Sequence, residues 1–187
     1  MLKLIIPTTE FFNTENDTFV PIKGGILAME HSLVSISKWE SKWKVHFLGN
    51  REITPEQFLD YVQCMTITQN PSPRWFEVIS SSESLLKKIS DYITDPMTAT
   101  TINERNVQRV SGPYHADKIM TSELIYAWMA ILKIPFSCEK WHINRLLTLI
   151  RVTSIEKQPP KKMSAREAMA QQDALNAMRR AKHRSRG

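Results

Sequence analysis

The spacing of apolar residues at the start of the chain predicts a small β element. Apolar and polar positions alternate loosely in Leu2–Ile6. Two further extended runs, at residues 17–23 and 26–30, flank Gly24-Gly25, and this arrangement is typical of a two-residue hairpin turn. A sheet of two or three strands is too small to be stable alone. We therefore expect residues 1–30 to form a β-hairpin that packs on helices.

From residue 31 onward the apolar residues recur at helical spacing. Thr54 with Gln57 three residues later forms a capping box, and Thr121 precedes the most apolar helical segment. Between these helices, residues 103–117 are polar and predict a long loop. The predicted fold is mostly α, with a helical core over residues 31–156.

A second segment begins after this core. Pro159-Pro160 stops the preceding helix, and Ser164 with Glu167 forms another capping box. The following residues, to about Lys182, are rich in Ala, Met and Gln, which favour a helix. We expect residues 157–187 to form an arm with one helix, separate from a globular body.

The charge of the chain is concentrated in this arm. The 187 residues carry a formal net charge of +6 and a pI near 9.4, values that suggest a nucleic-acid partner for the whole chain. Residues 157–187, however, contain nine Lys or Arg and two Asp or Glu, so the remaining residues have a net charge of −1. The sequence therefore predicts a neutral body and a basic arm.

No motif of a catalytic or cofactor-binding site is present. The chain contains no P-loop, no G-x-S-x-G and no H-E-x-x-H pattern, and it has only five glycines. Its carboxylates are scattered singly among lysines, as on a solvated surface. We expect no catalytic residue, no cofactor and no enzymatic activity.

Cys138 and His142 are the best candidates for metal ligands. They lie four residues apart at the start of a helix predicted over residues 139–152, where they would share one face. A structural zinc site needs four ligands, and Cys64 has no neighbour of ligand type. We expect no metal site and two buried free thiols, as in a reducing compartment.

Two tryptophans among lysines allow two interpretations. Trp39 and Trp43 alternate with Lys38, Lys42 and Lys44, a composition that also occurs on surfaces that stack nucleic-acid bases. Their helical spacing favours an amphipathic helix whose aromatic side chains face the core and whose lysines face water.

The basic arm is the best candidate for a binding element. Its charges lie at the two ends of the predicted helix, whereas a helix that reads DNA carries polar and basic residues along one face. The weak apolar stripe favours docking to another protein. The candidate partner-binding residues are Met163, Arg166, Met169, Leu175, Met178, Arg179 and Arg180.

No targeting segment is predicted. The apolar run at residues 2–6 is too short for a signal peptide, and no run approaches the length of a membrane span. We expect a soluble intracellular protein without a membrane partner.

Several strings resemble small proteins encoded among the tail genes of long-tailed, siphovirus-like bacteriophages, of the tail assembly chaperone type. The strings are Glu30–Trp43, Leu59–Met65, Pro96–Thr101, Trp141–Ile150 and Pro159–Ser164. The resemblance runs over most of the chain.

The resemblance implies a largely helical, non-enzymatic protein in the cytoplasm of the infected bacterium. Such a chaperone binds the tape measure protein, keeps it soluble and assists tail tube assembly, so the tape measure and tail tube proteins are the expected partners. Self-association stays open. Two alternatives also stay open: a structural virion protein for head or tail completion, and a nucleic-acid-binding protein that acts through the basic arm.

Overall fold

The computed structural model describes five ranges of the chain: 1–13, 17–50, 52–101, 119–157 and 165–183. Within them, the side chains at 11–13, 165–168, 171 and 181–183 are not described. The chain divides into two compact units, Met1–Glu156 and Lys157–Gly187.

The described residues form four strands, seven α-helices and one 3-10 helix. In chain order these are β1 (Leu2–Ile6), β2 (Thr9–Asn13), β3 (Thr18–Ile22), β4 (Gly25–Met29), α1 (Leu33–Trp43), α2 (Pro55–Met65), α3 (Pro73–Ser81), α4 (Glu83–Thr94), α5 (Ser122–Leu132), the 3-10 helix (Phe136–Lys140), α6 (Ile143–Glu156) and α7 (Ala165–His183). The prediction of a mostly α fold with a small N-terminal β-hairpin and a C-terminal helix is confirmed.

The four strands form one long antiparallel ribbon with an interruption in the middle. β1 pairs with β4, with Ile6 opposite Gly25, and β2 pairs with β3, with Thr9 opposite Ile22. The two pairings share one register, so β1 and β2 form one side of the ribbon and β3 and β4 form the other. The prediction of a hairpin turn at Gly24-Gly25 is therefore wrong, because β3 and β4 are successive parts of one side of the ribbon.

Both glycines are required by close approaches at this interruption. A Cβ at Gly24 would lie 2.5 Å from the carbonyl oxygen of Ile6 and 2.6 Å from the backbone nitrogen of Thr8. A Cβ at Gly25 would lie 2.6 Å from two ring carbons of Trp75 in α3. The glycines thus permit tight packing of backbone and ring, a role that glycine has where chains approach closely.

The segment after α2 adds to the other edge of β4. The backbone N–H of Ile67 donates to the carbonyl oxygen of Ala28 at 2.8 Å, and the N–H of Glu30 donates to the carbonyl oxygen of Met65 at 2.9 Å. Met29 and Thr66 form an antiparallel bridge. These bonds attach the ribbon to the helical part of the body.

Local signals set the starts of three helices. Ser32 caps α1 and exchanges hydrogen bonds with Ser35, while Thr54 caps α2 and exchanges them with Gln57. Thr121 caps α5. The predicted caps at Thr54 and Thr121 are confirmed, because a capping side chain satisfies backbone N–H groups within the same turn and needs no distant partner.

The observed boundaries of α1 and α6 differ from those that the spacing of apolar residues predicts. α1 ends at Trp43, where Lys44 adopts the left-handed conformation with φ 58°, so Phe47 packs into the core from a loop. The helix expected from residue 139 begins at Ile143 instead, because residues 136–140 form a separate 3-10 helix.

The core lies where the inner face of the β1–β4 pair meets helices α1 to α6. Its members are buried apolar side chains from every one of these elements. The largest fully buried ones are Trp39, Tyr61, Leu4, Ile6, Leu27, Met29, Leu33, Ile36, Met65, Ile79, Ile89 and Ile125.

Some predictions fall outside the described residues. These are the loop at 103–117, the spacer at Pro159-Pro160, the cap at Ser164 and the candidate residue Met163.

Candidate functional site

Helix α7 exposes apolar side chains along its length. Met169 is 72 % exposed, Leu175 44 % and Met178 72 %. Leu175 and Met178 are three residues apart and share one face, whereas Met169 precedes Met178 by nine residues, or about two and a half turns. Of the predicted apolar residues, the helix therefore brings Leu175 and Met178 together and places Met169 on the opposite face.

The basic candidates lie around this helix. Arg179 is exposed and follows Leu175 by four residues, so it flanks the Leu175–Met178 face. Arg180 is also exposed and lies one position further around the helix. Arg166 lies in the first turn, and its side chain is not described. The candidate binding surface is therefore a short exposed apolar strip beside an arginine.

A second group of polar side chains lies inside the body, around two histidines. The rings of His31 and His142 meet edge-on with centroids 5.1 Å apart, although the residues are far apart in sequence. His31 Nδ1 is hydrogen-bonded to the hydroxyl of Tyr61, which also lies 3.3 Å from the hydroxyl of Ser35. His31 is 2 % exposed and Tyr61 is fully buried.

The hydrogen bonds of His142 define its tautomer. The backbone N–H of Asn144 donates to Nδ1 of His142 at 3.3 Å, so Nε2 carries the proton and donates to the carbonyl oxygen of Tyr92 at 3.0 Å. The hydroxyl of Tyr92 in turn donates to the carboxylate of Glu30. This chain of bonds joins α6, α4 and the end of the ribbon.

Burial controls the titration of this cluster. Burial, together with a smaller electrostatic contribution from His142, lowers the pKa of His31 to about 3. Burial also lowers the pKa of His142 and raises the pKa of Tyr61. The two histidines and Tyr61 are therefore uncharged at neutral pH. Because the reactive atoms of the cluster are enclosed, the cluster acts as a polar part of the core.

Glu40 is a buried carboxylate with two backbone donors. It accepts from the N–H of Phe47 at 2.9 Å and from the N–H of Ser122 at 2.7 Å. Ser122 is the first residue of α5, so the carboxylate lies at the positive end of that helix. Glu40 thus joins α1, the following loop and α5. The periodicity did not reveal it, because its partners are backbone atoms of distant segments.

The candidate metal ligands do not share a helix face. Cys138 is buried in the 3-10 helix, and His142 precedes α6 and is bonded to Tyr92 and Asn144. The described residues include no group of three or more His, Cys, Asp or Glu side chains placed to hold a metal ion.

The tryptophans of α1 face the body. Trp39 is fully buried, and its indole N–H donates to the carbonyl oxygen of Gln57 at 2.8 Å. Trp43 is half-buried and donates to Asp60 at 2.8 Å, and Asp60 also pairs with Lys42. The structure agrees with the amphipathic interpretation of this helix.

Comparisons of the chain with models of protein families, with curated proteins and with solved structures find no match. In the part of the chain that the structure describes, no helix combines the length and apolar character needed to cross a membrane.

Proposed function

We propose that this protein is a non-enzymatic tail assembly chaperone of a long-tailed bacteriophage, acting in the cytoplasm of the infected bacterium. It binds the tape measure protein and assists assembly of the tail tube. The observation that carries the proposal is the exposed Leu175–Met178 face of α7, in a unit distinct from the body. The resemblance of the sequence strings supports the same function.

The chemistry of α7 suits a helical, aggregation-prone partner. Burial of a Leu or Met side chain contributes roughly 1.5–3 kcal/mol, so two such residues supply a modest, reversible anchor. Methionine adapts to irregular apolar surfaces, as a holding protein requires. Arg179 beside this face selects partner surfaces with a nearby carboxylate.

Nucleic-acid binding receives less support from the arm. The exposed arginines of α7 lie in its last turns, and its middle carries Gln172, Asp173 and Asn176. With Arg166 in the first turn, phosphate contacts from such a helix would be confined to its two ends. We therefore propose that this helix binds a protein rather than a nucleic acid.

Co-expression with the tape measure protein encoded in the same tail-gene region tests the proposal. Purification through a tag on the full-length chain is expected to recover the tape measure protein in soluble form. Met178→Asp should reduce recovery about tenfold or more, because a charge replaces an apolar contact at the interface. Met169→Asp, on the opposite face of the same helix, is the matched control and should retain recovery.

Two results would overturn the proposal. One is recovery that is equal for the wild type and Met178→Asp. The other is detection of the chain in purified virions at structural stoichiometry, which would favour the head- or tail-completion alternative. Binding of duplex DNA that falls steeply with salt would favour the nucleic-acid alternative.

A further inference from the structure

The interruption of the ribbon forms one wall of a cleft. The cleft has a volume of about 410 Å³, within the usual range for small-molecule sites. Its walls are the ribbon on one side and the segment that leads into α3 on the other. The lining residues are Pro21, Ile22, Lys23, Gly24, Gly25, Asn70, Ser72, Arg74 and Trp75.

Two cations from different elements line this cleft without a carboxylate. Lys23 comes from the ribbon and is exposed, and Arg74 comes from α3 and is half-buried. No Asp or Glu is among the described lining residues, and neither cation forms an ion pair with a described residue. The body as a whole carries a net charge near −1, so the two positive charges are a local feature.

The ring of Trp75 is attached to the ribbon between these cations. The indole N–H of Trp75 donates to the carbonyl oxygen of Lys23 at 2.9 Å, and the absence of a side chain at Gly25 lets the ring lie against the ribbon. Pro21, Ile22 and the Trp75 ring supply an apolar side to the same cleft.

We propose that this cleft binds a small organic phosphate. A phosphate monoester carries a charge of about −1.5 to −2 at neutral pH, so two cations neutralise it. A ligand with a single carboxylate carries only one negative charge and would leave one cation unpaired. Arginine offers a planar fork to phosphate oxygens, and lysine offers a point charge. The volume exceeds that of a phosphate group, so the organic part lies along Pro21, Ile22 and Trp75.

An NMR titration of the full-length protein tests this site. The probes are phenyl phosphate, inorganic phosphate and benzoate, which has the same ring with a single charge. We expect phenyl phosphate to shift the amide signals of Gly24, Gly25 and Trp75 saturably, with a dissociation constant in the millimolar range or below. Inorganic phosphate and benzoate should each bind more weakly.

Matched variants separate the site from general charge attraction. Arg74→Gln and Lys23→Gln should each weaken phenyl phosphate binding about tenfold or more. Lys88→Gln removes an exposed lysine of α4 outside the cleft and should leave binding unchanged. Lys23 is exposed, so its variant keeps the test valid if Arg74→Gln fails to fold.

Three results would overturn the proposal. The first is the absence of saturable shifts at these amides with phenyl phosphate. The second is equal binding by the wild type and Lys23→Gln. The third is benzoate binding as tight as that of phenyl phosphate, which would exclude a requirement for two negative charges.

Discussion

At the scale of single residues, burial of ionisable groups couples the stability of the body to pH. His31 is 2 % exposed, and burial lowers its pKa to about 3. In the unfolded chain the same side chain titrates near 6.5. Between these values the unfolded state binds more protons than the folded state, so stability falls as pH falls.

We therefore expect His31→Gln to flatten the pH dependence of unfolding. Between about pH 7 and about pH 5, the proton taken up by unfolded His31 costs the wild type about 2 kcal/mol of stability, and the variant lacks this loss. Urea unfolding at both pH values measures the difference. His46→Gln, outside the histidine cluster, should keep the wild-type slope. Equal slopes for the wild type and His31→Gln would contradict the assignment.

Helix caps can be predicted from the sequence, whereas polar pairs between distant segments cannot. The side chain of Thr54 accepts from the backbone N–H of Gln57, only three residues away, so this cap can be predicted from the sequence. The pairing of His31 with His142, and of Glu40 with Ser122, requires segments that only the complete fold brings together. Periodicity identifies buried apolar positions but carries no information about such polar pairs.

At the scale of elements, the ribbon depends on its contact with α3. Gly24-Gly25 is compatible with two structures, a tight hairpin turn or an interruption within a longer ribbon. The sequence alone favours the hairpin, because the pairing of β4 with β1 and of β3 with β2, and the contact of Gly25 with Trp75, form only in the complete fold. Tertiary packing thus overrides the local turn signal.

Gly25→Ala tests this explanation. The added Cβ would lie 2.6 Å from the Trp75 ring, so we expect a loss of roughly 1–3 kcal/mol in the free energy of unfolding. The loss should shrink in a Trp75→Leu background, where the ring is absent, and a double-mutant cycle measures the coupling. Additive effects of the two substitutions would show that the ring is not the obstacle.

At the scale of the whole molecule, the net charge of +6 is the sum of a charge near −1 on the body and near +7 on the arm. The described core residues all lie between Leu4 and Ile150, inside the first unit. The described side chains of α7 are exposed or, at Asn176, partly buried, and none of them is a member of the core. Sequence reasoning separated these units because a change in composition and charge is visible along the chain.

This division predicts that removal of residues 157–187 leaves the body folded. The shortened chain keeps every core residue that the structure describes, so we expect its melting temperature to stay within about 2 °C of the full-length value. Ile150→Ala in the full-length chain is the positive control, since a buried Ile replaced by Ala costs roughly 2–5 kcal/mol. A drop in the shortened chain as large as that of Ile150→Ala would mean that the arm stabilises the body. An unchanged melting temperature would mean that the arm does not stabilise the body, so the arm could bind a partner without loss of stability in the body.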